Sequence, residues 1–311
     1  MESEILFLCR ANNVVGAGHV RRSIDWANSI NSMGIKASMS GTNDIDWLKT
    51  LVPKGMWIEL SEIALEPKMV IVDSYDEIFL KECFSRFPAS RKIQIADSNS
   101  KLMDGYDVIW VDHTYPPLAI PEKNNRVLAS GLNLLPIRPF PNNEVFCDTA
   151  KNVLVTFGGT SSGKFADLFL DTFPFGDYAQ VKFHLFCDST ELALPPNVKS
   201  YSLGVAMDVV SGQCDTVISA SGTSVWNFVA NRKVLGVVTI VDNQRSNSLY
   251  VSTHGFGLLL GSLGEGQGLR VDLLDQLLFD SQTRINMCNK DRSWIGFTGA
   301  VHFAETVVGI L

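Results

Sequence analysis

A short apolar run, Ile5-Leu6-Phe7-Leu8-Cys9, is followed after a glycine-bearing turn by Val20, Ile24, Ala27, Ile30 and Met33. The run predicts a strand, and apolar positions at three- and four-residue steps predict one buried face of a helix. Further short β-branched runs bounded by turn residues predict strands at 35–40, 69–73, 93–96, 108–111 and 127–129, with helical character between several of them, as at 77–87. Strands alternating with helices imply a mostly parallel sheet covered on both faces. Residues 135–143 break the pattern with Pro136, Pro139 and Pro141, and read as a linker. A second series follows, with strands expected at 152–157, 181–186, 216–219 and 234–240 and helices at 165–172, 224–232 and 246–254. The expected fold class is therefore α/β, with two doubly wound domains facing a cleft, at 1–140 and 150–298. Residues 299–311 read as a closing helix placed to cross back over the domain junction.

A chain of 311 residues is long for one domain and sufficient for two cores. Its 46% hydrophobic and 19% charged residues are those of an ordinary soluble globular protein. The net charge of −7 comes without a basic cluster, which argues against a nucleic-acid partner and leaves room for a small anion held by backbone amides. Cysteines 9, 83, 147, 187, 214 and 288 contain no CxxC pair, so reduced thiols are expected. Glu2 and Glu4 oppose a signal peptide, and no apolar stretch approaches the roughly 20 residues of a membrane span. A cytoplasmic protein with no integral membrane segment is the expectation.

The chemistry gathers at strand ends. Gly16-Ala17-Gly18-His19-Val20-Arg21-Arg22 falls where the first strand hands over to the first helix. Amides at a helix start favour anions, and histidine is the side chain that ordinarily titrates near neutral pH. Asp73-Ser74-Tyr75-Asp76 and Asp97-Ser98-Asn99 end two further strands. Such carboxylates either cap the next helix or orient an imidazole, and Asp73 and Tyr75 are candidate partners of His19. In the second half, Gly158-Gly159-Thr160-Ser161-Ser162-Gly163 and Ala220-Ser221-Gly222-Thr223-Ser224 offer amides and hydroxyls suited to a phosphate; the alternative for the hydroxyls is helix capping. Val241-Asp242-Asn243-Gln244-Arg245 makes a third polar strand end. Neither a P-loop nor a dinucleotide fingerprint is present, and no G-x-S-x-G elbow supports a serine hydrolase. His113, His184, His254 and His302 lack metal-ligand spacing, so neither metal nor cofactor is expected.

Taken in order, these segments resemble the UDP-sugar hydrolases of pseudaminic acid biosynthesis, relatives of the MurG-type glycosyltransferases. The matching residues are Arg10-Ala11, Gly16 to Arg22, Asp73-Ser74-Tyr75, Gly131-Leu132-Asn133, Leu135 to Phe140, Thr156 to Gly159, Ala220 to Trp226, and Asp242-Asn243-Gln244. The resemblance spans essentially the whole chain. It implies a GT-B fold of two Rossmann-like domains, a catalytic first domain and a second that holds the nucleotide. It further implies removal of UDP from a 2,4-diacetamido-2,4,6-trideoxy hexose, with His19 as general base for water attacking the anomeric carbon. Metal is not needed if the helix start and polar loop stabilise the leaving diphosphate. Gly16, Gly18, Arg22, Gly158, Gly159, Thr160, Ser221, Gly222, Thr223, Ser224, Asn227, Asn243 and Gln244 are the expected substrate contacts, and His19, Asp73 and Tyr75 the catalytic set.

Some positions depart from the family pattern. Asn227 stands where relatives carry a glutamate expected to bind the ribose, Ser98 replaces a second aspartate, and His302 lies near a usual arginine. The two rival readings are a glycosyltransferase of the same fold and a catalytically silent nucleotide-sugar-binding protein.

Overall fold

In a computed structural model, the structure describes residues 4–12, 17–97, 100–111, 125–143, 148–159, 162–187, 192–203, 205, 207–263 and 267–311. The chain divides into two compact units, Met1–Ile137 with Ile295–Leu311, and Arg138–Trp294. The first runs β1 (Ile5–Ala11), α1 (Gly18–Ser32), β2 (Ala37–Asn43), α2 (Asp46–Lys49), β3 (Met69–Asp73), α3 (Glu77–Arg86), β4 (Arg91–Ala96), β5 (Asp107–Trp110) and β6 (Val127–Ser130). In the second come β7 (Asn152–Thr156), α4 (Ser162–Thr172), β8 (Lys182–Phe186), β9 (Val198–Tyr201), α5 (Met207–Gln213), β10 (Thr216–Ala220) and α6 (Val225–Ala230). It continues with β11 (Val234–Thr239), α7 (Arg245–Thr253), β12 (Leu258–Ser262), β13 (Gln267–Leu269), α8 (Leu274–Phe279) and α9 (Ser281–Cys288), and α10 (Gly299–Val308) then completes the first unit.

The first sheet has the order β2-β1-β3-β4-β5-β6 and is parallel throughout. From β1 the chain winds outward to β2, then crosses to the other side of β1 to lay down β3. The reversal makes a switch point at the carboxyl ends of β1 and β3, where open α/β sheets form a ligand crevice. Every residue of β3 is buried, as expected of a strand covered on both faces. The closing helix is integral to this unit. Trp26 on α1 stacks on Phe303 of α10 with centroids 4.3 Å apart, and its Nε1 donates to the Leu134 carbonyl at 2.9 Å. Gly299 starts α10 so close to the Leu135 carbonyl oxygen that a Cβ there would collide with it.

The second sheet has the order β13-β12-β11-β10-β7-β8-β9, parallel except for the β12–β13 pair. Its switch point lies between β7 and β10, so the turns after those strands are neighbours. Rings of Phe157, Phe169, Phe173, Phe175 and Phe183 pack under β7 and β8. A buried ion pair, Arg284 Nη2 to Asp215 Oδ1 at 2.9 Å, ties α9 to the start of β10. The other Asp215 oxygen accepts from the Lys151 and Asn152 amides at 3.0 Å.

The sequence pattern did not anticipate β9, β12 and β13. The ends of β9 are half-buried and its middle exposed, so it lacks an apolar signal, and β12 carries a register shift at Gly261. Among the described residues, no helix is long and apolar enough to cross a membrane.

Gly299→Ala should lower stability by about 1–3 kcal/mol, because the new methyl meets backbone that must shift. Gly176→Ala is the control, since a Cβ there meets nothing within 4 Å. Thermal denaturation should separate the two. Equal midpoints would contradict the close packing of α10.

Candidate functional site

At the switch point of the first sheet the β1–α1 connection delivers His19 in the first turn of α1, and β3 delivers Asp73 from its last position. The His19 Nδ1 lies 2.6 Å from Asp73 Oδ1, with the two residues 5% and 1% exposed. An ionised carboxylate can only accept, so Nδ1 carries the proton and Nε2 is the ring's basic nitrogen. Asp73 is gripped a second time: Arg22 donates from Nε to Oδ2 at 2.6 Å and from Nη2 to Oδ1 at 2.5 Å. Burial drives a carboxyl's pKa up, but the charge and hydrogen bonds of Arg22, joined by His19, outweigh it and hold Asp73 at about 2. Arg22 is likewise penalised by burial and more than compensated by Asp73, so its pKa rises.

Arg22, expected as a substrate contact, is held by Asp73. Three residues on from His19, it shares that face of α1, and its two-point bond to Asp73 commits it to holding the carboxylate. Tyr75, also expected in the catalytic set, sits beside His19. Its hydroxyl donates to Asp97 Oδ2 at 2.5 Å, while its ring meets His19 edge-on at 4.7 Å. Burial and the Asp97 charge push the phenol's pKa up, so it stays protonated and acts as a wall for the imidazole. Asp97, buried like Asp73, is fixed by Ser100 Oγ, which donates to Oδ1 at 3.1 Å. The capping alternative holds at Asp76, whose Oδ1 accepts from the Ile78 and Phe79 amides at the start of α3. Gly18 opens α1 with space where a side chain would be, and α1 has neither a side-chain cap nor an acidic residue in its first turn. Among the described residues, its first amides have no partner outside the helix, which suits an anion.

The second unit offers a separate polar surface at its own switch point. Gly158, after β7, has φ +89°, a left-handed conformation suited to glycine, and open space beyond it. Gly159 follows, half-buried. After β10, the backbone N–H groups of Gly222, Thr223 and Ser224 have no partner among the described residues. Ser224 makes no side-chain capping bond to α6. Gln244 folds back so that Oε1 accepts from the Ile240 amide at 3.3 Å. Its Nε2 lies 3.6 Å from where a Cβ of Gly222 would stand. Two turns thus converge, edged by amide donors.

Two expected contacts have partners within the fold. The Ser221 hydroxyl is fully buried, donates to the Val238 carbonyl at 3.2 Å and accepts from Ser248 Oγ at 2.6 Å. Asn247 Nδ2 takes the Ser221 carbonyl at 3.1 Å. Asn227 Oδ1, expected to meet a ribose, accepts instead from the Arg138 amide at 3.2 Å. Asn231 adds to that clamp, accepting from the Phe140 amide and donating to the Arg138 carbonyl, both at 2.8 Å. Asn227 Oδ1 retains one further lone pair and its NH₂ is a donor, so the side chain offers a ribose diol one neutral acceptor site where a carboxylate would offer several. Gly16 and Thr160 lie outside the described residues, as does the Asn243 side chain. The described residues include no group of three or more His, Cys, Asp or Glu arranged to hold a metal.

No protein-family model and no curated protein sequence matches the chain. Solved structures do. MurG from Acinetobacter baumannii superposes with a TM-score of 0.63 at 12% identity, covering 98% of this chain and 99% of that one. A putative UDP-N-acetylglucosamine 2-epimerase from Listeria monocytogenes gives 0.61 at 8% identity, over 99% and 96%. The spinosyn rhamnosyltransferase SpnG complexed with thymidine diphosphate gives 0.59 at 10% identity, over 99% and 96%. At such identities the likeness establishes the fold, two α/β units with parallel sheets of the GT-B type.

Asp73 also makes stability depend on acid pH. Its folded pKa of about 2 lies below the ordinary 3.8, so its contribution is full above pH 4 and is lost as pH falls toward 2. The difference corresponds to about 2–3 kcal/mol. Urea unfolding of the wild type and of Asp73→Asn should show their stability gap shrinking by about that amount between pH 5 and pH 2. A gap that stays constant with pH would contradict an ionised, buried Asp73.

Proposed function

We propose that this protein is an enzyme that cleaves the anomeric C–O bond of a nucleotide sugar, with His19 as the base that activates water. The carrying observation is the imidazole at a sheet switch point, held through Nδ1 by a buried carboxylate so that Nε2 is the basic nitrogen. Water's oxygen bonds to the anomeric carbon while its proton passes to Nε2. The bond to the nucleotide diphosphate breaks, and the diphosphate leaves with the electron pair. Asp73 stays ionised throughout and stabilises the imidazolium.

In this reading the second unit binds the nucleotide, with the amides of Gly222, Thr223 and Ser224 and the Gly158-Gly159 turn facing the diphosphate. Donors fixed in advance stabilise the leaving charge without reorganising. The order of sequence motifs favours UDP and a 2,4-diacetamido-2,4,6-trideoxy hexose. The second reading is a glycosyltransferase, in which a sugar hydroxyl replaces water at His19. It is favoured by the transferases among the similar structures. Incubation with a panel of nucleotide sugars separates the two: free sugar without acceptor means hydrolysis, and nucleotide release only with acceptor means transfer.

The two units should separate by mutation. His19→Asn should lower turnover by about 10²–10⁴-fold, the usual weight of general base catalysis, with UDP affinity unchanged by calorimetry. Gly222→Val adds a Cβ whose nearest neighbour is 3.6 Å away. It should weaken UDP binding by about tenfold or more, as a branched side chain shields the amides from a charge-assisted bond. Near-normal turnover in the first variant, or unchanged affinity in the second, would remove that residue from the mechanism.

A further inference from the structure

The carboxylate that orients His19 is not a lone anion. Arg22 spans both of its oxygens, at 2.6 and 2.5 Å, and brings Nη2 to 3.2 Å from the same Nδ1 that Asp73 holds. The guanidinium lies against Trp26, with Cζ 5.7 Å from the ring centroid, and Trp26 is itself fixed by its bond to Leu134. A carboxylate held only by an imidazole is free to turn about its own axis. One gripped by a planar fork is not.

We propose that Arg22 is the positioning residue for the base: its two-point grip fixes the Asp73 carboxylate and cancels its charge, so a neutral ion pair orients His19. The inference rests on the reading of His19 as base, yet its decisive test needs no turnover.

Among the described residues, groups from several elements face the ring. Asp73 comes from β3, Arg22 from α1, Tyr75 from the turn before α3, and Asp97 stands behind Tyr75 after β4. The Cys9 thiol on β1 is buried and its pKa raised, so it stays neutral. Among the described residues, Asp73 and Arg22 are thus the charges in contact with the ring, and they oppose each other. A bare Asp73 would favour the imidazolium and keep the base protonated. A bare Arg22 would do the reverse. An opposite charge within about 4–6 Å moves a titration by about 1–3 units.

The experiment is an NMR titration of the His19 imidazole, assigned by the signal lost in His19→Gln. It compares the wild type, Arg22→Met, Asp73→Asn and the double variant. Arg22→Met should move the His19 midpoint up by about one unit or more, and Asp73→Asn down by a similar amount. With both charges gone, the double variant should return to within about half a unit of the wild type. Should a single variant fail to fold, the double variant decides alone. A double-variant midpoint more than about one unit below the wild type means that Arg22 does not cancel Asp73, and overturns the inference. So does an unmoved midpoint in folded Arg22→Met, the result expected if Arg22 is merely structural.

Arg22→Lys separates charge from grip. It should keep the midpoint near the wild type while kcat on a nucleotide sugar stays reduced about tenfold or more and KM is little changed. A kcat equal to the wild type would overturn the positioning half. If the titration cycle holds and no nucleotide sugar is turned over, the proposed reaction fails and the charge cancellation stands. If turnover depends on His19 and the cycle does not close, the reverse is true.

Discussion

Asp73 accepts three hydrogen bonds with almost no exposure to water, two from Arg22 and one from His19. Burying a carboxylate is costly unless its lone pairs are filled and its charge is balanced, and this arrangement meets both conditions. The grouping depends on sheet topology. β3 pairs beside β1, so the end of one strand presents the carboxylate to the helix that follows the other. The packing of α1 then depends on Trp26, which joins it to α10 and to the Leu134 carbonyl. A closing helix far along the chain thus helps to hold the imidazole in place.

The second unit repeats the topology with different chemistry. Among the described residues, its switch point carries no comparable ion pair. Open glycines and amide groups stand there instead, above a buried chain of hydroxyls formed by Ser221, Ser248 and Thr239. These hydroxyls stabilise the turn after β10, in which Gly222, Thr223 and Ser224 are half-buried. The first unit's site rests on electrostatics, and the second unit's on backbone geometry.

Much of this was legible in the sequence. Alternating strands and helices marked both halves, because fully buried strands such as Met69–Asp73 leave unbroken apolar runs. His19 and Asp73 stood out at strand ends, where topology concentrates function. What escaped were matters of partner choice. A strand-end serine looks the same whether its hydroxyl faces a ligand or the Val238 carbonyl. An asparagine in a helix looks the same whether it faces a ribose or the Arg138 amide. Arg22 carried a usable signal, its spacing of three from His19 on one helix face, but spacing does not say whether a guanidinium turns inward to a carboxylate or outward to substrate. The missed strands β9 and β13 are short sheet edges, where exposure erases the alternation that identifies a strand.

The central claim is that the Asp73–Arg22 pair holds His19 with the proton on Nδ1 and the lone pair on Nε2. The ¹⁵N spectrum of the His19 ring, recorded with the imidazole neutral, measures that most directly. The account predicts a pyrrole-like Nδ1 and a pyridine-like Nε2. A pyrrole-like Nε2 would place the proton on the nitrogen that must accept one from water, and would contradict it.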